Sequence, residues 1–171
     1  MHPVRWFLLA VVAGTLGAAD ARAAKSPRVE FRATLEKSSS ASNDPIPVSF
    51  TLKNTGSQPV WVNARFYLSC PSAAEDDRDV TLTVTGPSGK ELPCTFSYPT
   101  GLPKSEYFKQ LEAGQEAAAE YPRDLRGFVE LKAPGTYTLR AVYHNVFGAE
   151  LGLEAFKGPL TAEPVSFTIT Q

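Results

Sequence analysis

Few side chains in this 171-residue sequence have the reactivity that catalysis or metal binding needs. Cys70 and Cys94 are the only cysteines, and no Cys-x-x-Cys spacing marks them as a redox pair. A disulfide is therefore expected, closing a loop of about 25 residues that stabilises the fold by roughly 3 kcal/mol through the unfolded chain's lost entropy. His144 is the one histidine beyond the N-terminal segment. Histidine-rich zinc sites need several such ligands, and a Ser-His-Asp triad would need His144 beside an activated serine. No Gly-x-Ser-x-Gly elbow is present, and a cysteine nucleophile paired with His144 would lose its thiol to the disulfide. His144 reads as a surface residue at a strand end. Glu75-Asp-Asp-Arg-Asp79 concentrates carboxylates that hard cations favour, but its spacing fits no calcium loop and Arg78 opposes the charge, so a solvated loop is expected. Gly86-Pro-Ser-Gly-Lys90 has the wrong spacing for a phosphate cradle and reads as a hairpin turn. Neither a catalytic residue, a cofactor nor a metal site is expected.

Recognition chemistry is better represented. Along Val60 to Tyr67, alternation sends Val60, Val62, Ala64 and Phe66 to one face and Trp61, Asn63, Arg65 and Tyr67 to the other. Trp, Arg and Tyr are the residue types that dominate interface hot spots. Two readings follow: an exposed binding stripe carried by Trp61, Arg65 and Tyr67, or a second small core beneath the segment from Tyr98 to Phe108. The stretch from Asn145 to Pro159 exceeds usual hairpin lengths and carries Val146, Phe147, Leu151, Leu153 and Phe156. Those five large apolar residues must either tuck against the domain or face a partner.

The elements that would position these groups are strands. Val48, Phe50 and Leu52 alternate with Ser49, Thr51 and Lys53, a period of two that a half-buried strand requires and a helix does not supply. Val29 to Leu35, Val80 to Val84, Thr136 to Tyr143 and Val165 to Ile169 repeat the pattern, with Tyr137, Leu139, Ala141 and Tyr143 on one face. Phe128 to Leu131 reads as a short strand, Glu91 to Phe96 follows the Gly86–Gly89 turn, and Leu111 to Tyr121 reads as an irregular strand interrupted by Gly114. Ser38 to Asp44 reads as a mobile polar loop. Short alternating strands, frequent turn signals and no clear helix predict an all-β fold: an antiparallel, immunoglobulin-like β-sandwich of about 7 to 9 strands with one disulfide.

The first 23 residues have the pattern of a secretory signal: Arg5, an apolar run of about 14 residues, and Ala21-Arg-Ala23 as a small-x-small cleavage site. That run is shorter than the roughly 20 residues a membrane span needs. Residues 24–171 are then expected to form one domain, periplasmic or secreted, with no membrane span after cleavage. The formal charge is −1, and removing Arg5, Arg22 and Asp20 makes it one unit more negative. Without a basic block, nucleic acid is not an expected partner.

Val48 to Val60, Pro134-Gly-Thr-Tyr-Thr-Leu-Arg-Ala-Val-Tyr143 and the closing Val165-Ser-Phe-Thr-Ile-Thr170 resemble exported bacterial β-sandwich domains of immunoglobulin or fibronectin-III type. Tyr137 stands where such a domain would place a tyrosine corner, while the inter-sheet cysteine pair of antibody domains is missing from the matching positions. The asparagine turn after the first core strand, Gly89-Lys90-Glu91 and Leu111-Glu-Ala-Gly-Gln115 are similar to the BsuPI-type intracellular proteinase inhibitors. The expectation for function is a non-enzymatic module that binds another protein or serves envelope assembly, through Trp61, Arg65 and Tyr67 or through the Phe147–Phe156 loop. Two alternatives stand beside it. One is a protease inhibitor presenting a rigid loop such as Tyr98 to Tyr107, and the other a carbohydrate-binding module in which Trp61 and Tyr67 stack on a sugar ring.

Overall fold

Strand alternation builds the protein as the sequence predicts. In the computed structural model, residues 28–71, 79–94 and 101–171 are described. The expected signal segment, most of the 75–79 carboxylate run and the Tyr98 end of the candidate loop lie outside them. Twelve strands occur among the described residues: β1 (Val29–Leu35), β2 (Ser39–Ala41), β3 (Pro47–Asn54), β4 (Val60–Asn63), β5 (Leu68–Ser69), β6 (Val80–Thr85), β7 (Phe108–Leu111), β8 (Glu116–Ala118), β9 (Arg123–Asp124), β10 (Gly135–Asn145), β11 (Gly158–Thr161) and β12 (Val165–Thr170).

They form three sheets. In the first, β3 pairs with β1 on one edge and with β8 and then β9 along the other. Its register sets Phe31 opposite Leu52 and Ala33 opposite Phe50, so one face carries the buried residues of both strands. The second sheet runs β2-β12-β10-β6-β5, with β11 beside the C-terminal half of β10. The third is the β4–β7 pair. Tyr137, Leu139, Ala141 and Tyr143 are all buried along β10, as their spacing predicts. The Tyr137 hydroxyl donates to the Ala133 carbonyl at 2.6 Å, four residues upstream. Residues of the first two sheets share one apolar interior: Phe31 lies 5.7 Å from Tyr143, and Phe50 lies 5.9 Å from Phe31 and 6.5 Å from Phe66. Each such side chain contributes about 1.5–3 kcal/mol by leaving water. Cys70 and Cys94 are joined as expected, with their Cα atoms 5.5 Å apart.

The strand count exceeds the expected 7 to 9 because several pairings are only two or three residues long, too short to leave a periodic trace in sequence. Ser39–Ala41 in the presumed polar loop pairs with β12, and the β2–β12 and β5–β6 pairs run parallel. Gly158–Thr161 adds a strand at the end of the long Asn145–Pro159 stretch. Two expected strands shrink instead: Glu91 and Cys94 make isolated bridges to Thr85 and Val129, and a 3-10 turn over Leu125–Gly127 precedes Phe128.

Candidate functional site

The Trp61–Tyr67 stripe is divided by the backbone. β4 ends at Asn63, and Phe66 has φ of 50°, a left-handed conformation that costs a side-chain-bearing residue roughly 1–2 kcal/mol. Burial of the Phe66 ring against Phe50 and Tyr143 offsets that cost. Alternation of exposure fails along this stretch: Asn63 and Arg65 are buried together with Phe66, and the expected outward face does not exist at these positions. Arg65 is thereby corrected from a candidate surface anchor to an internal one. Its guanidinium binds Asp79 with two bonds, Nε to Oδ2 at 2.6 Å and Nη2 to Oδ1 at 3.0 Å, and Nη1 donates to the Gly101 carbonyl at 2.6 Å. Asp79 is completely buried, which corrects its expected place in a solvated loop. It also accepts from Asn63 Nδ2 at 3.0 Å and the Tyr67 amide at 3.1 Å. The Tyr143 hydroxyl donates to the Asn63 carbonyl at 2.9 Å, and burial pushes that phenol's pKa well above its ordinary range. This network fixes where the β4–β7 pair sits against the rest of the domain.

Asn54 does the same at the other end. Wholly buried, it donates from Nδ2 to the carbonyls of Gln58 (2.8 Å) and Leu111 (2.9 Å) and accepts from the Gly56 amide (2.9 Å). Its backbone also bonds both Gly114 and Gln115. β7 and β8 are therefore joined by the short turn Glu112–Gln115, with Gly114 at φ of 82°, yet they do not pair. A connection of this length ordinarily closes a hairpin. Here Asn54, at the end of β3, ties down the turn, and beyond it the strands take different neighbours: β8 follows β3 and β7 follows β4.

A groove of about 1040 Å³ lies between the two diverging strands. Ala64, Ala117 and Ala119 form an apolar lining backed by the core. Tyr67, Tyr107 and Tyr121 stand along it, the last one exposed. The Arg65 guanidinium carbon rests 4.6 Å from the centre of the Tyr67 ring. The Tyr67 and Tyr107 hydroxyls approach within 3.5 Å, which raises the Tyr107 pKa by hydrogen bonding.

Both strands present to this space backbone that has no partner among the described residues. The bonds Ala119 N–Phe50 O and Asn54 N–Gln115 O fix which β8 residues face β3, so the amides and carbonyls of Glu116 and Ala118 face away from it. By the same alternation the Ala64 N–Tyr107 O bond leaves the Gln110 amide and carbonyl and the Phe108 carbonyl on the free edge of β7. The Phe108 amide closes a 3-10 turn on Ser105.

Charge in the groove is unevenly satisfied. Glu106 lies 3.8 Å from Lys104, Glu116 lies 3.0 Å from Lys53, and the Glu120 carboxylate bonds the Tyr121 hydroxyl and raises that phenol's pKa. Lys109 and Arg123 have no carboxylate partner among the described residues. The Arg123 Nε is shielded from solvent and has no hydrogen-bond partner among the described residues.

The other sequence candidates lie elsewhere. Trp61 is half-buried on the far edge of β4, where its carbonyl accepts from the Phe156 amide at 2.7 Å and its backbone bridges to Ala155. The structure thus separates Trp61 from Arg65 and Tyr67 and brings it to the Phe147–Phe156 loop. Asn145 staples that loop, its Nδ2 donating to the carbonyls of Phe147 (3.0 Å) and Phe156 (2.7 Å). Phe147, Leu153 and Phe156 are half-buried, while Val146 and Leu151 remain exposed. Gly148, at φ of 129°, sits so close to Ala155 that a Cβ there would meet the Ala155 methyl at 2.7 Å. His144 is half-buried and its amide donates to the Asp79 carbonyl. Sequence reasoning missed the free edges of β7 and β8; the Leu111-Glu-Ala-Gly-Gln115 turn between two short strands was the available signal.

No protein-family model matches this chain, and no curated protein sequence is significantly similar to it.

Proposed function

We propose that this protein is a non-catalytic binding module whose site is the groove between β7 and β8 and whose partner is another protein. The observation that carries the reading is the pair of strand edges, unpaired among the described residues, that flank an alanine-lined groove opening from the turn Asn54 holds. Exposed strand edges are templates for pairing with another chain unless they are covered. The larger frame of the proposal is an immunoglobulin-like sandwich made by the first two sheets, which pack residues into a common core. Export to the periplasm or beyond it fits the Cys70–Cys94 disulfide and the leader-like residues 1–23. No helix among the described residues is long and apolar enough to cross a membrane.

Selection of peptides from a random display library tests the groove. The selected peptides should lose binding to an Ala117→Trp variant that remains folded by circular dichroism, and keep it for Trp61→Ala. Peptides indifferent to Ala117→Trp, or no enrichment at all, would remove the groove from consideration.

A second reading, protease inhibition by the segment ending at Tyr107, draws on one observation. The buried Arg65 clamps the Gly101 carbonyl, and the adjoining Leu102 is 72% exposed, so a side chain is presented from an anchored backbone. Stoichiometric loss of activity in a panel of serine, cysteine and metalloproteases would support it; full activity at molar excess of this protein would exclude it.

A further inference from the structure

Resting on the groove reading, we propose that the occupant is an extended acidic segment of a partner protein, inserted as a strand between β7 and β8 with a carboxylate at Arg123.

The backbone sets the extended conformation. Glu116 and Ala118 offer two amides and two carbonyls on one side, and Gln110 and Phe108 offer one amide and two carbonyls on the other. A strand has its own amides and carbonyls pointing alternately to both sides, so a single extended segment satisfies both edges at once. β7 and β8 span roughly 10–13 Å at about 3.3 Å per residue, which suits about three to four residues of ligand. Such an insertion would connect the β4–β7 pair to the first sheet in the order β4-β7-ligand-β8-β3-β1 and remove two free edges.

The side chains set the composition. Alternate residues of an inserted strand point inward, where Ala64, Ala117 and Ala119 leave room for branched apolar side chains. Lys53 and Lys104 pair with Glu116 and Glu106, whereas Glu120 is bonded only by the neutral Tyr121 hydroxyl and keeps its charge. Against that one carboxylate stand both Lys109 and Arg123, so the balance of unmatched charge among the described residues is positive, and a guanidinium nitrogen shielded from water and without a partner among them favours an incoming carboxylate over a neutral or basic group. The matching sequence alternates valine-like residues with glutamate or aspartate.

Calorimetry with amidated seven-residue peptides tests both halves. The set alternates valine with glutamate, with glutamine or with lysine, and includes a glutamate peptide N-methylated at every second residue. The glutamate peptide should bind at least about tenfold more tightly than the glutamine peptide, the equivalent of roughly 1.4 kcal/mol, and more tightly still than the lysine peptide. N-methylation should weaken it at least as much. Arg123→Gln should erase the glutamate-over-glutamine preference and Arg123→Lys should restore part of it. If Arg123→Gln does not fold, Arg123→Lys decides the same point by a reduced glutamate-over-glutamine preference, with Lys109→Gln, which should leave most of that preference, as its control. Ala118→Pro removes an amide that faces the groove and not β3, so it should weaken every peptide while the melting temperature holds.

Equal affinity for the glutamate and lysine peptides, or for the N-methylated one, would overturn strand addition by an acidic segment, and sensitivity to Ala117→Trp would still preserve the groove as a protein site. Peptide binding unaffected by Ala117→Trp, or no binding of any peptide, would overturn both. Sedimentation that finds a dimer dissociated by Ala118→Pro would assign the edges to a second copy of this chain and overturn the proposal.

Discussion

Substituting Asp79 by alanine should be among the most damaging single changes in the protein, although Asp79 belongs to a run of charged residues that reads as surface. Its carboxylate is wholly buried and accepts two bonds from Arg65, one from Asn63 and one from the Tyr67 amide. Removing it leaves a guanidinium charged inside the protein without its counter-ion, because arginine does not give up its proton there. Breaking a buried pair from one side costs about 3–5 kcal/mol, against a total stability of about 5–15 kcal/mol for a domain. At about 2–4 °C per kcal/mol for a chain of this size, the melting temperature should fall by roughly 6–20 °C. The double variant Arg65→Met with Asp79→Leu should recover most of that loss, since apolar residues of similar volume often replace a buried pair without penalty. Urea unfolding of the wild type, both single variants and the double variant gives the coupling energy directly. A single-variant loss below about 1 kcal/mol, the range of exposed pairs, would refute the argument that this pair is desolvated and holds the β4–β5 passage in place.

Tyr143 has its pKa raised by burial, so its stabilising contribution is complete below the ordinary phenol pKa near 10 and is lost as the pH rises through and above that value; Tyr143→Phe should flatten the alkaline decline in the urea midpoint between pH 9 and 11. Replacing both Cys70 and Cys94 by serine should cost about 3 kcal/mol, read as a lower urea midpoint that reducing agent lowers no further. Asn54→Ala should destabilise by about 1–3 kcal/mol by leaving the Leu111 and Gln58 carbonyls without their donor, and chemical-shift changes in the variant should centre on 111–116.

Those elements whose burial follows strict alternation were legible from sequence: Phe31, Phe50, Leu52, Leu139 and Ile169 line the core at the positions their spacing assigns. Asn63, Arg65 and Asp79 were not, because they are buried against one another and not by a periodic face, and the left-handed turn at Phe66 is likewise announced by no residue type. Charged side chains also read as exposed by default, so a buried pair is recognisable only once its two members are brought together by strands distant in sequence. The groove was hidden for a related reason. The turn at Glu112–Gln115 looks like a hairpin, and only the bonds from Asn54 to Leu111, Gly114 and Gln115 show that the strands it joins part company.

Amide hydrogen exchange, residue by residue, with and without the alternating valine–glutamate peptide tests the central claim most directly. Protection should appear at Gln110, Glu116 and Ala118, the amides that face the groove with no partner among the described residues, while Ala117 and Ala119 should change far less. Protection confined to Trp61 and the Phe147–Phe156 loop, with those three amides exchanging as freely as before, would contradict the account.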